Sequence, residues 1–496
     1  SISATSYFFN MTCSTAYPLD VYAQRRAQLA AQLGAGGIAI IPTAPERQRN
    51  RDNFYLYRHD SYFFYLTGFT EPGATLVLTA EGRATLFCQP KDIEREIWDG
   101  YRLGPQAAPA ALGLDAAYAN TEIDAHLPTL LDNQQCVWWP FATHDGLAAQ
   151  IERWLTPVRQ RARAGVLCPA QQGDLCQLLD EMRLIKDPHE LATLRRAATI
   201  SASAHMRAMQ TSARMLRAGE DVREYHLDAE LLHAFRHHGA QGVAYDSIVA
   251  AGANACVLHY RAGNTPVRDG DLVLIDAGCE LDGYAADITR TFPANGRFSG
   301  PQRDVYQLVL ASQQAAIAAT RAGNRFTDPH DATVAVLAQG LLDLGLLNAH
   351  QHGSAQDIIA NKAYAPFYMH RTSHWLGMDV HDCGSYTEPG AAPHPDGSRP
   401  SRILRPGMSG DDVKSVQSRL DKFGYYSGAL DGIYGAATVA AVQAFQARNG
   451  LTADGKVGAN TVKILYSSNA VAADPSAAVP TPTPTQSFGI VPTRTL

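Results

Sequence analysis

Apolar and polar positions divide the 496-residue chain into stretches of different period. Gly37-Ile38-Ala39-Ile40-Ile41-Pro42 is a continuous apolar run ended by proline, the pattern of a strand covered on both faces. Residues 74–79 and 84–88 flank Glu81-Gly82-Arg83 and predict a hairpin. The aromatic cluster Tyr62-Phe63-Phe64-Tyr65-Leu66 reads as a short buried strand, and residues 148–155 read as helix. Together these predict an α/β domain over 18–176, after an N-terminal tail over 1–17.

A sharper helix start follows at Asp187. Asp187 can cap it, Pro188 suits the first turn, and Glu190 stands where a capping box needs it. Leu191, Leu194, Ala197 and Ala198 continue at helical spacing. From 243 to 293 the pattern turns to strands, with Leu272-Val273-Leu274-Ile275-Asp276 and an alternating run over 283–291 joined through Gly278–Gly283. Helix returns over 301–321, so 177–403 reads as a second domain of α+β type. In the last part, Val413, Val416 and Leu420 form one helical stripe, and Val439, Val442 and Phe445 another. Asp431-Gly432 and Asp454-Gly455 are the turns of a small all-α module over 404–466. Residues 467–496, rich in Ala, Pro and Thr, predict a disordered tail.

Composition narrows the partners. A net charge of −6 and a pI of about 6.3 argue against nucleic acid or an anionic membrane. No apolar run reaches the ~18 residues of a membrane span. The first ten residues lack the basic and apolar regions of a signal peptide, and Met11 offers an alternative start. Cytoplasmic residence is the expectation, with the cell envelope the alternative if the last module works there. Eight scattered cysteines without a CxxC pair predict reduced, mostly buried thiols.

Candidate chemistry gathers in three places. Asp276 and Asp287 stand eleven residues apart around a glycine-containing connection, and a hairpin could turn both carboxylates into one pocket. Paired carboxylates repel unless a cation neutralises them, and oxygen donors suit Mn, Mg or Co. His370, His374 and His381 fall within twelve residues, and His259 ends the run Ala255-Cys256-Val257-Leu258. Imidazoles serve as metal ligands and proton shuttles. Singly, these residues are more often a turn or solvated strand aspartate and a surface or hydrogen-bonded core histidine.

Their joint order is more specific. AYDSIVAAGANACVLHY (244–260), LVLIDAGCELDGYAADITRTFP (272–293) and HRTSHWLGMDVHD (370–382) resemble the aminopeptidase P family of the creatinase/methionine-aminopeptidase superfamily. DNFYLYRHDSYFFYLTGFTEPGATLVL (52–78) is similar to that family's N-terminal domain. The resemblance implies a pita-bread catalytic fold, two divalent metal ions, usually Mn²⁺, and release of the N-terminal residue from peptides with proline second. It implies Asp276, Asp287 and His374 as metal ligands and His381 as the catalytic proton shuttle. His259 and His370 would be substrate-binding residues. It also implies possible homo-oligomers.

The family completes its site with two glutamates on strands beyond the histidine cluster, the first after an LRPGM-like segment. Here Leu404-Arg405-Pro406-Gly407-Met408 runs into Ser409-Gly410-Asp411-Asp412, and no glutamate follows Glu388. Both ligands and the C-terminal strands of the sheet are therefore expected to be missing. Thr387-Glu388-Pro389-Gly390 is a weak surrogate. Residues 404–466 resemble instead a peptidoglycan-binding three-helix module, in which Tyr434, with Tyr425 and Tyr426 nearby, could touch glycan or stem peptide. Arginine dominates before residue 404 (31 Arg, 3 Lys) but not after it (4 Arg, 4 Lys), so the chain reads as a hybrid with its break at 404–408. The alternative function is then an inactive peptidase portion carried by a peptidoglycan-binding module.

Overall fold

The computed structural model describes residues 16–386, 403–466 and 470–473. Glu388 and Cys13 lie outside the described residues. The chain forms two compact units, one of residues up to Ser299 with His374–Ser385, the other of Gly300–Ser373 with the residues from Tyr386 onward.

The first unit begins with a six-stranded sheet in the order Ala116–Ala119, Ala84–Cys88, Thr75–Thr79, Gly37–Pro42, Cys136–Trp139, Gln171–Asp174. The central strand Gly37–Pro42 pairs antiparallel with Thr75–Thr79 and parallel with Cys136–Trp139. Its alternate residues feed two cores. Ala39 and Ile41 pack with Tyr22, Leu29, Phe63 and Leu66, whereas Ile38 and Ile40 pack with Val137, Ile151, Trp154 and Val158. Burial on both faces explains why this strand reads as an unbroken apolar run. The 74–79/84–88 hairpin and the helix Leu147–Gln160 form as expected.

The 62–66 cluster is a helix, Ser61–Thr67, and not a strand. Asp60 caps it by accepting from the Phe63 amide, and Gly68 ends it in the left-handed region (φ 65°). A side chain at Gly68 would also collide with the Tyr22 ring. Nearly every residue of the helix is buried, so it shows no helical period, and a fully covered short helix looks like a buried strand.

A second core joins the helices Pro188–Arg217 and Glu224–His237 to the antiparallel sheet Ile248–Ala251, Leu272–Asp276, Thr289–Pro293. Asp187, Pro188 and Glu190 cap the long helix as the sequence indicates. Its buried stripe is Thr193, Ala197, Ile200, Ser201 and Ala204, so Leu191 and Ala198 lie outside it. Small residues on that stripe let the helix sit close to the sheet. A second three-stranded sheet runs Tyr284–Ala285, Cys279–Leu281, Gly242–Val243. Among the described residues no strand follows Thr289–Pro293.

In the second unit, the helices Gly300–Ala319 and Asp328–Asp343 touch closely, since a Cβ at Gly340 would lie 2.1 Å from a Leu308 methyl. The C-terminal module packs the helices Asp411–Lys422, Ala436–Arg448 and Ala459–Leu465 around Leu404, Val416, Leu420, Val442, Phe445 and Val457. Two buried glutamines repeat one device. Gln417 takes the Gly432 amide on its oxygen and gives its NH₂ to Asp431, Ile433 O and Thr438; Gln446 does the same with Gly455, Asp454, Lys456 O and Thr461. Tyr434, Tyr425 and Tyr426 are buried in this core, with the Tyr434 hydroxyl donating to Gly455 O. The aromatic glycan contacts expected of them are therefore corrected: these rings pack the module. Residues 470–473, expected to belong to the disordered tail, lie against the module through Val471 and Ala473. The described cysteines are free thiols, but only Cys88 and Cys279 are buried, and Cys256 is exposed.

Candidate metal centre

Asp276 ends the middle strand of the Ile248–Ala251, Leu272–Asp276, Thr289–Pro293 sheet. Val273 and Ile275 point into the core, so alternation puts Asp276 on the opposite face with Leu272 and Leu274. Asp276 pairs with Ile248 on one side and Thr289 on the other. Asp287 is not in a strand. The chain leaves Asp276, makes the separate hairpin Cys279–Leu281/Tyr284–Ala285, and returns through residues 286–288 before Thr289. The expected simple hairpin is thus corrected to two sheets with Asp287 at the crossing between them. Gly278 permits that crossing: a Cβ there would lie 1.6 Å from Ala286 O.

The crossing still brings the carboxylates together. The Tyr245 hydroxyl lies against Asp276 Oδ1 and 2.9 Å from Asp287 Oδ1. His374 Nε2 is 3.0 Å from Asp287 Oδ2, and His374 Nδ1 is 2.7 Å from the Trp375 carbonyl. The His381 ring lies 4.3 Å from the His374 ring. A carbonyl only accepts, so His374 carries its proton on Nδ1. Nε2 then meets Asp287 either as a second N–H or as a lone pair needing a cation between them.

The electrostatics agree. Burial raises the Asp276 carboxyl above its usual range, with Asp287's charge adding to it and Tyr245's hydrogen bond opposing. At Asp287 burial acts the same way, but hydrogen bonds from His374 and Tyr245 outweigh it and hold the group low. The Asp287 bond raises His374. Burial and the two carboxylates keep the Tyr245 hydroxyl protonated.

Two carboxylates and an imidazole suit a divalent cation in kind. Their arrangement falls short, for among the described residues no group of three or more His, Cys, Asp or Glu, this trio included, is arranged to hold a metal ion. A complete two-metal centre is not supplied by these residues.

The remaining candidates are less converged. His259 is exposed on the loop after Ile248–Ala251, beside exposed Val257 and Leu258. His370 belongs to the second unit, where it stacks edge-on to Tyr368. A cleft of about 1240 Å³ is lined by Arg58, His59, Glu280 and Asp282 among others, and not by Asp276, Asp287 or His374.

The sequence reading missed Tyr245, though it quoted the segment containing it; a tyrosine carries no ligand signature until the fold places it between two carboxylates. It also missed the anchor of the histidine segment. Arg183, almost wholly buried, bonds Asp379 Oδ2 (2.9 Å) and Asp382 Oδ1 (2.6 Å), and Lys186 reaches Asp382 Oδ2 (2.8 Å). Arg58 donates to Met378 O and Ser61 to Asp379, which fixes the backbone between His374 and His381.

The Xaa-Pro aminopeptidase of Escherichia coli K12 is 41% identical over 391 residues, covering 78% of this chain and 84% of that protein. This chain belongs to the aminopeptidase P family. The model of metallopeptidase family M24 matches residues 192–409, and that of the aminopeptidase P N-terminal domain matches 22–138. Human Xaa-Pro aminopeptidase 3 is 33% identical, with 72% and 69% of the two chains covered. The Pseudomonas aeruginosa aminopeptidase PepP structure superposes with a TM-score of 0.72 at 45% identity, covering 80% of this chain and 86% of that one. Zn-substituted E. coli aminopeptidase P in complex with product gives 0.71 at 40%, covering 79% and 86%. The fold is accordingly the family's N-terminal domain followed by its pita-bread catalytic domain. A peptidoglycan binding domain model takes over at 409–465, where the M24 match stops. No helix among the described residues is long and apolar enough to cross a membrane.

Proposed function

We propose that residues 18–403 form an aminopeptidase for peptides with proline in second position, with its domain break at 176/177. The observation that carries this reading is the meeting of Asp276, Asp287 and His374 within a chain 41% identical to an Xaa-Pro aminopeptidase. Those three residues are the metal-side set, with Mn²⁺ the first metal to try. His381, beside His374, handles the proton, and His259 and His370 bind the peptide. The short donor set predicts weak metal retention, because losing a ligand costs more than the roughly 10–100-fold lost with an outer partner.

The test pairs metal content with turnover. Purified chain in Mn²⁺ should release the first residue from an Xaa-Pro tripeptide and not from its Xaa-Ala analogue, and Asp287→Ala should abolish both release and bound Mn. Equal, negligible metal and turnover in the two proteins overturns the reading.

The missing donors favour a second reading, in which the peptidase portion is inactive and the 404–466 module binds peptidoglycan. Cosedimentation of the full chain with purified peptidoglycan, without Xaa-Pro turnover, would select it. Fractionation would then separate an envelope location from a cytoplasmic one.

A further inference from the structure

The loop that carries His259 hangs from one buried carboxylate. Glu224 opens the helix Glu224–His237 and is fully buried. Its Oε1 accepts from the Ala251 amide and from Asn254 Nδ2, both at 2.9 Å. Its Oε2 accepts from the Tyr260 hydroxyl at 2.9 Å and the Gly263 amide at 3.1 Å. One oxygen thus holds the outgoing limb of the loop and the other the returning limb. Asn254 cross-links the limbs by donating to the Tyr260 hydroxyl and Thr265. The backbone closes the base as well, through Glu224 N to Thr265 O and Val267 N to Val222 O.

Ala251 is the last residue of the strand beside Leu272–Asp276, so the pin ties the loop to the strand that ends in Asp276. Beyond the pin, Val257, Leu258 and His259 are all exposed. The loop thus presents two apolar side chains and an imidazole on a tightly held base. A carboxylate with four donors is hard to replace: an amide in its place can accept at one atom only and sets an N–H against the donors on the other side.

We infer that Glu224 is a positioning residue that holds the His259 loop in its peptide-receiving conformation. The inference rests on the proposed binding of Xaa-Pro peptides for its functional half, and on the hydrogen bonds alone for its structural half. Glu224 touches no substrate and acts through His259.

Hydrogen exchange on the full chain tests the structural half without activity. Glu224→Gln should speed exchange of amides over 252–263 by roughly ten- to hundredfold, the range for losing bonds to a buried charged group, and leave the helix Pro188–Arg217 unchanged. Unchanged exchange in the loop overturns the inference. Should that variant not fold, Tyr260→Phe removes one donor from the same carboxylate and should speed exchange on the returning limb, again with no change overturning it.

Binding of an uncleaved Xaa-Pro tripeptide in EDTA, by calorimetry, tests the functional half. Glu224→Gln should weaken binding about tenfold in the wild-type background and not at all in His259→Ala. Equal losses in both backgrounds overturn action through His259. A wild type that binds no peptide overturns the functional half, Xaa-Pro release in Mn²⁺ separately judges the proposed function, and the exchange result still judges the pin.

Discussion

In the C-terminal module, Gln417 and Gln446 each bury an amide against a turn and use both its ends. In the Asp276 cluster, two carboxylates share one tyrosine proton, and an imidazole nitrogen meets the second of them. The glutamines are buried and the aspartates half-buried, and only the first region matches donors to acceptors within itself. Matched networks fix a fold, and a surplus of acceptors holds charge ready for something that arrives. The Arg183–Asp382–Lys186 network lies between the two, since Arg183 and Lys186 serve Asp379 and Asp382 while Arg183 Nε keeps no partner.

The contrast breaks most visibly at Gln417. Replacing Gln417 with Ala removes the acceptor of the Gly432 amide and the NH₂ that serves Asp431, Ile433 O, Thr438 and Tyr426 inside a closed core. We expect a loss of about 2–3 kcal/mol, from orphaned buried groups and the vacated volume. Exchange protection of the module's helices should fall accordingly. A loss below about 0.5 kcal/mol, within the scatter of surface substitutions, would mean that the module does not depend on its matched networks.

His59 is the intermediate case. It is buried and stacked on Phe64 with ring centroids 4.0 Å apart, and its Nδ1 has no hydrogen-bond partner. Burial, helped by the Arg58 charge, pushes the imidazole down to about 3, while Asp379 pulls weakly the other way. Between that value and its ordinary 6.5 the unfolded chain takes a proton that the folded chain refuses. Stability is therefore full above about 6.5 and falls as pH drops toward 3, by at most about 1.4 kcal/mol per unit. From pH 7 to 5, urea unfolding should cost the wild type up to about 2 kcal/mol more than His59→Phe. Parallel pH profiles for the two proteins would remove His59 from this account.

What was legible in the sequence divides along the same line. The Asp187 cap, the 74–88 hairpin and the module's stripes were readable because each is set by neighbours in sequence. Asp276, Asp287 and His374 were readable only as a joint pattern, and their route together, across two sheets instead of one hairpin, was not. The helix Ser61–Thr67 was misread because full burial erased its period. Tyr245, Arg183 and Glu224 were silent because a hydroxyl, a guanidinium or a carboxylate acquires its role from partners 27 to 199 residues away, as Glu224 does from Ala251 and Arg183 from Asp382.

The smallest expected effect is the most discriminating, because its sign differs from that at Gln417. Burial and the Asp287 charge raise the Asp276 carboxyl, so folding binds its proton more tightly and stability falls as pH climbs above the ordinary carboxylate range. Asp276→Asn removes that cost and gives Asp287 an N–H donor. In EDTA at pH 8 the variant should be more stable than wild type by about 1 kcal/mol, as expected when a crowded like charge is relieved. Adding Mn²⁺ should stabilise the wild type in proportion to binding and leave the variant where it was. If Asp276→Asn instead lowers stability in EDTA, Asp276 is a matched acceptor like those around Gln417, and the cluster is a fold element with no charge held in reserve.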